Sequence, residues 1–164
     1  MKKKIILFIF ALILWMGLTW PFDIQHFLLG IVVSVVVSLL TGDMFINRPY
    51  VFGHPKRYLW FLYYAVIFVW ECLKANIDVM YRVAHPSIPI KPGIIKIKTK
   101  LKSDTGITFL ANSITLTPGT LSVDIDRENG ILYIHWINVK ATDIETATKK
   151  IAGVFESILE RIFE

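Results

Sequence analysis

The sequence predicts a membrane protein: an N-terminal α-helical hairpin, a third hydrophobic and amphipathic helix, and a small α+β cytoplasmic domain of order β-α-β-β-α. Three observations carry this. Of the 164 residues, 54% are hydrophobic and 19% charged, with mean hydropathy +0.55, too greasy for an ordinary soluble domain. Three long apolar stretches fall before position 85. Beyond a proline-rich linker, the hydrophobic pattern switches to the two-residue and 3.6-residue periods of strands and helices. The expected boundaries are 1–84 for the membrane helical region, 85–93 for the linker and 94–164 for the α+β domain.

Lys2 to Lys4 precede Ile5–Trp20, a run without a charge. A basic start and an apolar run also suit a signal peptide, but no small-x-small cleavage site follows, so a retained helix is expected. At ~1.5 Å per residue the run spans roughly 24 Å, slightly short of a ~30 Å hydrocarbon core. Trp15 and Trp20 lie near its far end, as interfacial aromatics do. Pro21-Phe22-Asp23 is a very short connection. Ile24–Leu40 is the second apolar run, with Ser34 and Ser38 able to bond back to helix carbonyls. A tight hairpin with short arms is expected, one that thins the bilayer or enters it partway. Thr41–Lys56 reads as a polar loop, with Arg48, Lys56 and Arg57 at or near it. The positive-inside rule puts it in the cytoplasm with the N-terminus.

Tyr58–Ala84 changes character midway. Tyr58–Trp70 is uncharged and aromatic. From Glu71 onward, Glu71, Lys74, Asp78 and Arg82 recur three or four apart on one helical face, and Leu73, Ile77, Tyr81 and Ala84 on another. Such a stripe facing lipid is costly. It therefore emerges from the membrane with i,i+4 ion pairs, or lines an ion path, or packs on a partner. Three complete spans starting inside would put the cations after Ala84 outside, against the positive-inside rule, so one of the three segments is expected not to cross fully. The hairpin and the third segment are both candidates.

His85–Gly93 carries three prolines and reads as a semi-rigid linker. In Ile94–Lys102, Ile95, Ile97, Thr99 and Leu101 alternate with Lys96, Lys98, Lys100 and Lys102, a half-buried strand. Its lysine ridge suits an exposed edge strand protected against aggregation, or else anionic headgroups or an acidic partner. Ser103 or Asp104 can cap a helix running to about Thr117. Its apolar stripe is Ile107, Leu110, Ala111 and Ile114. Thr117-Pro118-Gly119-Thr120 forms a rigid corner, with glycine supplying the positive φ of a type II turn. Leu121, Val123 and Ile125 alternate as a strand to Asp126. A hairpin loop ending in Asn129-Gly130 leads to a strand over Ile131–Val139. Thr142 and Glu145 have capping-box spacing ahead of one final helix carrying Ile144, Ala147, Ile151, Val154, Phe155, Ile158 and Ile162. A domain of this size is near the lower limit for independent stability, so docking on another surface is expected.

The net charge is +5, but the cations flank hydrophobic segments rather than forming a nucleic-acid footprint, so no nucleic-acid partner is expected. Contact with anionic lipid is. The single cysteine, Cys72, excludes an internal disulfide and a cysteine-built metal site. No cofactor motif is present, neither CxxC nor GxGxxG. Ser113, Thr115, Thr117 and Thr120 have no partner histidine and are read as caps and turn formers. His135, between strand residues, reads as structural. Asp23 and His26 are the only proximate acid and base, at a turn where interfacial solvation explains them.

Two stretches taken together, ECLKANIDVMYRV (Glu71–Val83) and FLANSITLTPGTLSVDI (Phe109–Ile125), resemble the E subunit of the Mrp-type multisubunit Na+/H+ antiporters. The resemblance covers nearly the whole chain and is most specific in Ala111–Thr120. It implies an accessory subunit without its own active site or cofactor, working among antiporter-like subunits in the cell membrane. Related modules belong to membrane-bound hydrogenases and other respiratory complexes, so an equivalent subunit of such a complex is the alternative. On the resemblance, Glu71, Lys74, Asn76, Asp78, Arg82, Asn112, Thr115, Pro118, Gly119 and Thr120 are the candidate structural or interface residues. A reading from a different class is a stand-alone, membrane-anchored domain binding an anionic lipid or ligand.

Overall fold

The computed structural model describes residues 2–21, 23–45 and 55–164. Two compact units are present, Met1–His54 and Pro55–Glu164.

The first unit is the expected hairpin, α1 (Lys2–Leu18) and α2 (Ile24–Phe45). Its seam is made of small residues. Among the described side chains of α2, Gly30, Ser34 and Ser38 are the buried ones, one turn apart, and small residues let helix backbones approach in lipid, where no hydrophobic force drives association. A Cβ on Gly30 would lie 2.5 Å from the Trp15 ring. The Trp15 indole N–H donates to the His26 carbonyl at 2.9 Å. Ser38 Oγ bonds back to Val35 O at 2.9 Å as expected. Ser34 Oγ is buried without a partner among the described residues. α2 runs further than Leu40: its 22 residues extend roughly 33 Å, so the expectation of two short arms holds for α1 alone. The polar loop begins inside this helix; positions 46–54, with Arg48, lie outside the described residues, as does Phe22 of the hairpin turn.

The second unit begins with α3 (Pro55–Ala84), one unbroken helix of 30 residues. Proline suits a first helical turn because its missing N–H would have no partner there. α3 belongs to the same compact unit as the elements that follow it. The cause is packing: Tyr64 is buried in the core of the α/β elements, with Trp60, Ile67 and Phe68 against it. By length and composition, segments of α2 (Ile24–Thr41) and α3 (Lys56–Ala84) could each cross a membrane.

Then follow β1 (Gly93–Lys98), α4 (Asp104–Leu116), β2 (Thr120–Asp126), β3 (Ile131–Trp136), α5 (Ile144–Ile151) and α6 (Gly153–Phe163). The sheet is antiparallel in the order β1-β3-β2. Ile95 pairs with Ile134 and Ile97 with Leu132, and these four side chains form the buried face. α4, α5 and α6 supply the opposing layer with Leu110, Ile114, Ala147 and Leu159, all at most 1% exposed.

Several expectations need correction. The alternation of β2 is reset by a bulge between Ser122 and Asp124. Ser122 faces inward and donates to Ala111 O at 3.0 Å, Ile125 packs on the core, and Leu121 and Val123 are exposed. The bulge restores an apolar inward position that a strict two-residue period would have given to Asp124. Strand β1 stops at Lys98 although its buried–exposed alternation continues to Lys102. Past Gly130 no ladder partner remains, so carboxylates accept the N–H groups: Lys100 N–H to Glu156 Oε1 at 2.6 Å, and Lys102 and Ser103 N–H to Glu164 Oε1 at 3.0 and 2.8 Å. β3 likewise ends at Trp136, short of Val139. Finally, the last helix is two helices meeting at Ala152–Gly153, and the α5 cap is Asp143 rather than Thr142. Of the two caps expected for α4, Ser103 takes the role, accepting from Gly106 N–H.

Candidate interface cleft between the third helix and the Pro-Gly corner

The corner after α4 is built as its residue types dictate. Gly119 has φ +91°, the left-handed conformation a type II turn demands, and Thr120 N–H bonds to Thr117 O at 3.2 Å. Hydroxyls hold the frayed end of the helix. Thr117 Oγ1 donates to Ser113 O at 2.7 Å, Thr120 Oγ1 lies 2.6 Å from Ile114 O, and Thr115 Oγ1 accepts from Ser122 N–H at 3.1 Å. These threonines serve the backbone. Gly119 also admits close neighbours: a Cβ there would meet Ile137 Cγ2 at 2.9 Å and Val79 Cγ2 at 3.5 Å.

The polar stripe of α3 faces this corner. Glu71 and Lys74 pair at 2.7 Å. The Arg82 guanidinium grips Asp78 with two bonds of 2.8 Å and donates to Pro89 O in the linker at 2.6 Å. With its amide oxygen turned toward the guanidinium, Asn138 accepts two more at 3.0 Å. Arg82 is only 9% exposed, and a buried cation is tolerable only with its donors satisfied. One side chain thus ties α3 to the linker and to the segment after β3.

Between the two lies a cleft of about 280 Å³, walled by Glu71, Lys74 and Asp78 on one side and Pro118, Gly119 and Thr120 on the other, with Lys140 and Lys150 also lining it. Its charges are mixed, and both acids already have cationic partners. That chemistry suits a polar docking seat. Of the ten candidate residues, six line the cleft, Arg82 braces its α3 wall and Thr115 braces the corner. Asn76 and Asn112 do not join it: both are exposed, and Asn76 bonds back to Cys72 O at 2.9 Å. Among the described residues, no three of His, Cys, Asp and Glu converge as metal ligands. Asp23 and His26 stand 3.4 Å apart, each about half exposed.

Sequence reasoning missed the lysines that line the cleft beside the corner and one acceptor of the Arg82 brace. Lys140, Lys150 and Asn138 carry no local signature; only their arrival opposite α3 gives them a role. It missed Tyr64 too, an aromatic in an apolar run, whose hydroxyl meets Ser113.

Comparison with known proteins gives the family. The family model described as "Na+/H+ ion antiporter subunit" matches residues 8–162. The E subunit of the Bacillus subtilis Na(+)/H(+) antiporter is 38% identical, covering 100% of this chain and 98% of the relative. The E1 subunit of the Staphylococcus haemolyticus antiporter is 33% identical over 99% and 96%. Among solved structures, a chain of the membrane-bound sulfane sulfur reductase, an archaeal respiratory membrane complex, superposes with TM-score 0.88 at 42% identity, covering 99% of this chain and 100% of that one. The match extends over the cleft and both segments that build it, and the chain belongs to the family of Na+/H+ antiporter E subunits.

Proposed function

We propose that the chain is an accessory membrane subunit of a multisubunit cation/proton antiporter module, supporting assembly and ion translocation without an active site of its own. The carrying observation is the Arg82 brace. A charged side chain is spent on joining α3, the linker and the segment after β3, as a structural device and not a reactive one. The named activity of the relatives, Na+/H+ antiport, supplies the module. The cleft beside the brace is the seat for a polar segment of a neighbouring subunit. Exposed Lys96, Lys98, Lys100 and Lys102, with the positive-inside rule, support a cytoplasmic α/β domain.

The likeness to a chain of a respiratory complex favours a second reading, the equivalent subunit of a redox-driven ion pump. Mild-detergent pulldown of the native protein with mass spectrometry separates the two. Antiporter-like subunits alone support the first; iron–sulfur or other redox subunits beside them support the second; a chain that purifies alone defeats both and leaves an anchored binding domain. Asp78→Lys should weaken recovery of the assembly and its transport, and unchanged assembly and transport would remove the stripe from the interface.

A further inference from the structure

We propose that α3 does not cross the bilayer but lies in its interfacial plane, apolar face down, with the α/β domain seated on its wet side. The proposal rests on the reading of the chain as a membrane subunit and goes beyond it. The decisive observation is how much of α3 the domain covers. Arg57 donates to Ile162 O at 2.7 Å near the start of the helix, Arg161 stacks on Trp60 at 4.4 Å, Tyr64 bonds Ser113, and Arg82 bonds Pro89 O near its end. From position 57 to 82 is roughly 38 Å of helix, more than the ~30 Å hydrocarbon core. Were α3 a span, the domain would be carried into hydrocarbon with it. That domain exposes Lys96, Lys98, Asp104, Asp143, Lys149 and Glu160 among other charges, each very unfavourable at membrane depth.

The other face of α3 fits lipid. Leu59, Leu62, Val66, Leu73, Ile77 and Met80 are each more than half exposed and share one side at 100° per residue. Tyr63, Trp70 and Tyr81, each about half exposed or more, fall along one flank of that side, together with Lys56 and Lys74. A spanning helix gathers its aromatics and cations at its two ends. Here they are spread along its length, marking a water–lipid boundary parallel to the axis, the pattern of an interfacial amphipathic helix.

The test uses the full chain in its native membrane, in a Cys72→Ser background. Lys56→Cys and Ser87→Cys are both exposed positions, at opposite ends of α3. A membrane-impermeant maleimide should label both from the same side, in inverted vesicles and not in intact cells. Labelling from opposite sides would establish a span and overturn the proposal. Spin labels at Leu62, Leu73 and Met80 should show one shallow depth, accessible to dissolved oxygen; a deep maximum midway, or exclusion from oxygen by a protein partner, would also overturn it. These outcomes are read whichever subunits co-purify, so they fail independently of the assignment to an antiporter module.

Discussion

Tyr64 of α3 and Ser113 of α4 are joined by a buried hydrogen bond of 2.7 Å across 49 positions of sequence. Ser113 Oγ also donates to Phe109 O at 2.6 Å. A hydroxyl has one proton, so the serine accepts from the tyrosine, and the direction of the bond is fixed. Around it Tyr64 meets Phe109 and Phe155 edge-on, with ring centroids 6.3 and 6.4 Å apart. A polar bond set in an aromatic cluster fixes how α3 docks on the domain.

The two partners are therefore unequal under mutation. Tyr64→Phe removes a donor whose acceptor keeps another bond, and should cost about 1 kcal/mol. Ser113→Ala strands a buried hydroxyl and should cost about 1–3 kcal/mol. The double variant should cost less than the sum. Unfolding of the full chain in detergent measures all three; equal single losses that add would show that the bond contributes nothing specific.

In the hairpin, Gly30 is required by the Trp15 ring, 2.5 Å from where its Cβ would be. Gly30→Leu should lower hairpin stability by about 1–3 kcal/mol through overpacking. Gly17 is the internal control, since a Cβ there meets nothing within 4 Å, and Gly17→Leu should be neutral or stabilising through helix propensity. Thermal midpoints of the two variants, read in the same detergent, should move in opposite directions or differ clearly; equal shifts would remove the close approach as a cause.

The corner makes a similar demand for another reason. Gly119→Ala forces a side chain into a left-handed φ and toward Ile137, at a cost of about 1–2 kcal/mol from the backbone alone. Because Gly119 also lines the cleft, the substitution should reduce recovery of partner subunits in a pulldown. Loss of stability with full recovery would separate the corner from the interface.

Much of this was legible in the sequence, and the reason differs by element. The hairpin, the Pro-Gly corner and the lysine-flanked strand follow from local rules on periodicity and turn chemistry, which need no neighbour. The β2 bulge did not, because Leu121, Val123 and Ile125 keep a perfect two-residue alternation and only pairing with β3 shows where it breaks. The split at Ala152–Gly153 was hidden by an apolar stripe that continues across it. The stripe of Glu71, Lys74, Asp78 and Arg82 was visible as a stripe. Its direction was not, since Pro89 and Asn138, which accept from Arg82, announce nothing by themselves.

The domain should lose stability in acid, and two turn carboxylates say where. Hydrogen bonding to Thr146 holds Asp143 below the usual carboxylate range, and hydrogen bonding to Asn129 does the same for Asp126. A folded-state value depressed below the unfolded one means the charged form is favoured by the fold. Its contribution is complete above the unfolded value, near ~3.9, and disappears as pH falls through the lower folded value. The thermal midpoint of the full chain should thus be flat on this account from neutral pH to about 5 and fall below about 4. Asp143→Asn keeps an acceptor for the Thr146 N–H, now 2.8 Å from Oδ2, while removing the titration. It should lower the neutral-pH midpoint toward the value the parent chain reaches in acid and flatten the acid limb, and Asp126→Asn should do likewise at the hairpin loop. An acid limb as steep in the double variant as in the parent chain would clear both carboxylates of the acid sensitivity.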